Sequence, residues 1–196
     1  MSQKRNSQNA EFVEFIRKGD LEGVKRILLE QGNDLLLKKK FGEFKETALH
    51  LAVKHGHESI VKHLLEIGAD IHATDHHLRT VLHTVFETGD INIITLILQC
   101  QGVKVNATEE YGNTPVKLAA EKGNIRAVKL LMEKGADITI ADKVGCLYSL
   151  SLGISTEFHQ TPDFEFSRTP VGDLGWNSPE LWRSGKEFLQ TQISGL

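Results

Sequence analysis

The sequence predicts an all-α solenoid of paired antiparallel helices with extended finger loops and an irregular C-terminal tail, and three observations carry that prediction. A Thr is followed nine residues later by a Gly three times: Thr47 and Gly56, Thr80 and Gly89, Thr114 and Gly123. Successive Thr residues lie 33 and 34 residues apart, which marks an internal repeat. Each Thr-to-Gly segment is followed by an apolar helical stripe and a loop ending in Ile-x-Ala, Val-x-Ala or Ile-x-Ile. A unit of this size cannot bury its apolar face alone, so the units must stack.

Residues 1–9 are polar and are expected to form a flexible lead. Phe12, Phe15 and Ile16, then Gly19-Asp20, then Val24, Ile27 and Leu28 follow the two-helix plan without the Thr opening. An end unit has one face in water and departs from the pattern, so this segment reads as the N-terminal cap. The tract from Leu35 to Lys40, followed by Phe41-Gly42-Glu43-Phe44, reads as a lengthened finger.

In the second unit, Thr47 to Val53 opens a short helix that Gly56 stops. Ile60, Val61, Leu64 and Leu65 then give the i, i+1, i+4, i+5 stripe of a helix facing a neighbour. Gly56 and Gly68 stand where a helix C-terminus needs a positive φ. The third unit repeats this with Thr80-Val81-Leu82-His83, Gly89, Ile93, Ile94, Ile97 and Leu98, and one extra residue near Gln99 to Gly102 accounts for the longer step. In the fourth, Pro115 suits the first helical turn, where its missing N–H costs nothing. Gly123, Val128, Leu131, Met132 and Gly135-Ala136-Asp137-Ile138 complete it.

These residues resemble the ankyrin-repeat family, whose unit reads approximately Asp-x-x-Gly-x-Thr-Pro-Leu-His, then Gly, Leu-Leu and Gly-Ala-Asp. The resemblance spans about residues 10–145 and implies the solenoid fold. It also implies that His50 and His83 are structural histidines bonding backbone between repeats. Ala48 and Val81 stand at the Pro position, Lys117 at the His position, and Lys45 and Leu78 where the finger Gly belongs. Those departures touch local turn geometry.

Beyond Gly145 the composition changes. Three basic and six acidic residues follow, against whole-chain totals of 23 and 26, so 20 of each sign precede it. Both tryptophans and three of the four prolines also fall there. Residues 146–196 are therefore assigned to a separate, partly disordered tail. Leu152-Gly153 and Gly175-Trp176-Asn177-Ser178-Pro179-Glu180 resemble a protein-kinase activation segment, closest in type to the Ire-like and ribonuclease-L-like kinases. The Gly-rich loop, strand Lys, catalytic loop and metal-binding Asp that phosphoryl transfer requires have no match, so no catalytic residue and no enzymatic activity are expected.

A balanced repeat region excludes binding through a bulk basic surface, so nucleic acid is not an expected partner. No run of apolar residues approaches a membrane span, and Cys100 and Cys146 are too few for a disulfide framework. With a polar start, the chain is expected in the cytoplasm, the nucleus being second. His72, His76 and His77, near His50, His55, His57 and His63, raise a metal site, but without Cys-x-x-Cys or His-Glu-x-x-His the structural reading is stronger and no metal or cofactor is expected.

The family resemblance implies that partners are gripped by finger tips and first-helix ends. The matching candidates are Phe44 and Glu46; His76, His77 and Arg79; Glu110, Tyr111 and Asn113; with His55, Glu87, Glu121 and Lys122 at helix ends. Phe44 and Tyr111 are the candidate anchors, since an exposed aromatic offers large area at little entropy cost. The expected function is a monomeric, non-enzymatic module binding a protein partner. The alternative is a regulatory or nucleotide-sensing fragment of an ankyrin-repeat kinase/endoribonuclease, in which Tyr111, Arg79 and Lys143 meet a nucleotide.

Overall fold

A computed structural model describes residues 2–138 and residue 140. The 145/146 boundary, the kinase-like segment and Lys143 lie outside the described residues. Helix α1 (Ser2–Lys18) pairs with α2 (Leu21–Gln31), α4 (Ala48–Lys54) with α5 (Glu58–Glu66), α6 (Val81–Thr88) with α7 (Ile91–Gln99), and α8 (Pro115–Glu121) with α9 (Ile125–Glu133). The first helices pack on one another in the order α1, α4, α6, α8, and the second helices in the order α2, α5, α7, α9. Every predicted pair is present in register.

One connected apolar core runs through both layers. Ile93, Ile94, Ile97 and Leu98 of α7 are all buried, and so are Ile60, Val61 and Leu64 of α5. Each fully buried side chain of this size contributes about 1.5–3 kcal/mol of transfer free energy, which makes these stripes the main adhesive between units. The extra residue of the third unit falls where the spacing put it. Cys100 leaves α7 in an extended conformation, and the loop Gly at 102 comes one position later after its helix than Gly68 and Gly135 do.

Two segments differ from expectation. Residues 1–9, expected to be a flexible lead, are helical from Ser2 onward. They carry no apolar stripe to announce a helix, but once α1 is nucleated each added residue gains a hydrogen bond, and Gln8 Nε2 reaches Glu30 Oε2 at 3.3 Å. The lengthened finger is itself structured. It holds a short helix, α3 (Asn33–Leu37), burying Leu36 and Leu37, and an antiparallel strand pair, β1 (Lys40–Phe41) and β2 (Glu46–Thr47). Phe41 turns inward against Phe12, with ring centroids 5.8 Å apart, and Phe44 turns outward.

Candidate functional site

The face built by the fingers begins with the Thr of each unit. Thr47, Thr80 and Thr114 are extended residues that cap α4, α6 and α8, so each finger ends where a helix starts. His50 and His83, three residues into their helices, are buried and fix the next finger. His50 Nε2–H donates to the Arg79 carbonyl at 3.0 Å, and His83 Nε2–H to the Asn113 carbonyl at 3.2 Å. A carbonyl only accepts, so Nε2 carries the proton and Nδ1 accepts the Thr hydroxyl, at 2.8 Å from Thr47 Oγ1 and 2.9 Å from Thr80 Oγ1. Burial pushes both imidazoles below their ordinary pKa, in keeping with the neutral form this geometry needs.

Five residues before Thr80 and Thr114 stands a buried acid, and it closes the finger. Asp75 Oδ1 accepts the N–H groups of His77 at 2.8 Å and Arg79 at 2.9 Å, while Oδ2 accepts Arg79 Nε–H at 2.8 Å. Glu109 Oε1 does the same for Tyr111 N–H, Asn113 N–H and Asn113 Nδ2–H at 3.0, 3.1 and 2.7 Å. Burial alone would raise the Asp75 carboxyl, but the bonds from Arg79 and His77 outweigh it and hold it below the usual range. Adjacent fingers are stitched by backbone: His76 N–H donates to Phe44 O at 2.7 Å and Glu110 N–H to His77 O at 2.9 Å.

With these backbone groups bonded, the fingers present side chains. Phe44, Leu78 and Tyr111 are 46, 54 and 61% exposed, one apolar residue on each of three consecutive fingers. The Phe44 and His77 rings lie 6.0 Å apart, and His77 Nδ1–H donates to Glu110 at 2.9 Å. His76 is exposed beside His77, at 5.3 Å between rings. Behind Tyr111 a groove of about 340 Å³ is floored by Phe86 and Leu118 and bordered by Glu87 and Lys122.

Three candidates from the sequence do not offer free side chains. Glu46 is 6% exposed and its carboxylate holds Lys54 at 2.8 Å. Arg79 is clamped between Asp75 and Glu87, and Asn113 is bound to Glu109. All three sit immediately before the Thr, where the chain turns inward to start the helix. His55, Glu121 and Lys122 are exposed at helix ends. Leu78 was not a candidate, because the family resemblance reads its position as a Gly. A large apolar residue at a turn position was the available signal. Among the described residues no three His, Cys, Asp or Glu side chains gather where they could hold a metal ion.

Paired helices in register, capped by Thr and joined by hydrogen-bonded fingers, define a helical-repeat solenoid with a finger face. A family profile of three ankyrin repeats matches residues 3–75 and 60–142. The chain belongs to the ankyrin-repeat family.

It is 33% identical over 128 residues to the human transient receptor potential cation channel subfamily A member 1, covering 65% of this chain and 11% of that protein. It is 33% identical over 111 residues to the Notch protein of Drosophila melanogaster, covering 57% of this chain and 4% of that protein. Against an ankyrin repeat and KH domain-containing protein of Caenorhabditis briggsae it is 40% identical over 93 residues, 45% of this chain and 4% of the relative. The chain thus spans about a tenth or less of the length of these relatives.

Proposed function

We propose that this chain is a non-enzymatic interaction module that binds a protein partner through its fingers and the adjoining first-helix ends. The observation that carries the reading is the stripe of Phe44, Leu78 and Tyr111, exposed on three consecutive fingers whose own backbones are already bonded. Exposed apolar residues set among polar groups are what a protein partner covers, and rigid aromatics contribute most there. The same repeats recur in relatives named as a channel subunit, a Notch protein and a KH-domain protein, a distribution that suits a shared binding part better than a shared reaction. We place the module in the cytoplasm or nucleus as a monomer.

The test compares proteins captured from cell extract by the full chain and by variants Phe44→Ala, His77→Ala and Tyr111→Ala. A partner of this face falls about tenfold with Phe44→Ala or Tyr111→Ala. Full retention of every captured protein would remove the finger face as the binding site.

The alternative, a nucleotide-sensing fragment of an ankyrin-repeat kinase/endoribonuclease, rests on the resemblance of the tail. Arg79, the cation it needs beside Tyr111, is engaged by Asp75 and Glu87, so a phosphate would have to displace two carboxylates. Titration with ATP or oligoadenylate gives no rise in unfolding temperature under the interaction reading and a clear rise under the sensor reading.

A further inference from the structure

A second feature adjoins the finger stripe at its N-terminal end. The C-terminal ends of α1 and α4 bring Arg17, Lys54, His55 and His57 into one corner. His57, unlike Asp20, Asp90 and Asn124 at the same position of the other units, does not cap its own helix with its side chain. Its Nε2–H instead donates to the Arg17 carbonyl at 2.9 Å, and its ring stacks with His55 at 6.3 Å between centroids. Lys54 Nζ lies 5.5 Å from the centre of the exposed Phe44 ring, so the corner runs into the apolar stripe.

Three carboxylates of these elements are committed elsewhere. Glu46 holds Lys54, Glu14 pairs with Lys18 at 3.2 Å, and Asp20 accepts the Gly23 N–H. Among the described residues, neither the Arg17 guanidinium nor the His55 ring has a carboxylate partner, and both are exposed. The groups acting on His55 are His57, Arg17 and Lys54, with Glu46 opposing them. Burial first, then those three neighbours, hold its pKa below the ordinary value. Since residues 1–145 carry 20 charges of each sign, the positive corner reflects segregation within a balanced surface.

We propose that this corner receives an acidic segment of the protein partner, which sets carboxylates among Arg17, Lys54 and His55 and lays an apolar side chain on Phe44. The proposal rests on the finger face being a protein-binding surface. Its occupant follows from charge complementarity: the corner is cationic, two of its groups are unpaired, and the neighbouring contact is aromatic. A carboxylate brought to His55 favours the imidazolium, so the complex takes up a proton and tightens as pH falls.

The probe is a fluorescently labelled peptide of glutamates flanking one Trp, titrated against the full chain, with a lysine-for-glutamate peptide, inorganic phosphate and phosphatidylserine vesicles as competitors. The glutamate peptide is expected to bind, to weaken about tenfold with Arg17→Glu plus His55→Glu, and to be unchanged by Lys134→Glu, an exposed lysine at the end of α9. Its affinity rises several-fold from pH about 7.5 to about 6, with proton uptake measured by calorimetry in two buffers, and His55→Gln removes the uptake. The replaced side chains are exposed, and unchanged thermal unfolding of the variants verifies that the fold is kept.

Equal binding of the lysine peptide, full displacement of the glutamate peptide by phosphate or vesicles at concentrations no higher than that of the peptide, or an equal loss with Lys134→Glu would overturn the proposal. If Phe44→Ala weakens the peptide while the charge variants do not, the acidic corner fails and the finger reading stands. If Phe44→Ala and Tyr111→Ala are also without effect, both fail.

Discussion

The second and third fingers reach the same turn by different means. Both put a residue other than Gly at positive φ two positions before the Thr: Lys45 at 51° and Leu78 at 61°. In the third finger a buried carboxylate, Asp75, gathers the donors of His77 and Arg79 and holds the loop shut. In the second finger that position is Gly42, and the turn is closed by backbone pairing of Lys40 with Thr47 and Phe41 with Glu46. The fourth finger combines a carboxylate, Glu109, with a Gly at 112. Side-chain and backbone closure are thus interchangeable ways of satisfying the polar groups of a finger, and a strained residue is tolerated under either.

The largest effect should come from breaking the side-chain closure. Asp75→Ala removes three hydrogen bonds and leaves Arg79 with Glu87 alone; it should cost about 2–3 kcal/mol in urea unfolding. Gly42→Ala, at the matching position of the second finger, meets no neighbouring atom and should cost about 1 kcal/mol through its positive φ. Equal costs would mean that the carboxylate is not what holds the third finger.

The histidines behind the fingers come next. His83→Ala should destabilise by about 1–2 kcal/mol, because the Asn113 carbonyl and the Thr80 hydroxyl lose their partner. His50 and His83 also predict a pH dependence. Their pKa values are lower folded than unfolded, so between the two the unfolded chain binds more protons and stability rises with pH. Stability should therefore be full above about pH 6.5 and fall as the pH drops below that. Asp75 adds a second loss in strong acid, present above its unfolded value near pH 4 and lost as its carboxyl protonates. Unfolding temperature followed from pH 8 downward checks the first loss, and Asp75→Asn flattens the second.

The smallest effect sharpens the comparison most directly. Leu78 is largely exposed, so Leu78→Gly relieves left-handed strain at little cost in burial and should be neutral or stabilising by up to about 1 kcal/mol. Gly112→Leu, the reverse change one finger later, should destabilise by about 1–2 kcal/mol. A clear loss with Leu78→Gly would mean that the leucine side chain, and not the turn, is what the third finger protects.

Much of this was legible in the residues. The helix pairs follow from stripes such as Ile93, Ile94, Ile97 and Leu98, whose burial is a matter of periodicity, and the bridging role of His50 and His83 followed from the family resemblance. The candidate face was legible in outline, with Phe44, His77, Glu110 and Tyr111 brought together. Its detail was not. Glu46 and Phe41 differ from Phe44 in direction because the β1–β2 pairing sets which side of the strand each faces, and nothing local in the sequence fixes that register. The clamp on Arg79 depends on Glu87, eight residues away on a helix whose orientation comes from packing.

The sequence by itself determined the period, the helix pairs, their caps and the positions of the fingers, because these depend on apolar spacing and on residues that act within a few positions of themselves. Tertiary structure alone decided which finger residues remain available, that Lys45 and Leu78 take a conformation their side chains resist, and that Arg17, Lys54, His55 and His57 share one corner. Those outcomes depend on contacts between units, where stacking overrides local preference and joins charges that stand far apart in the chain.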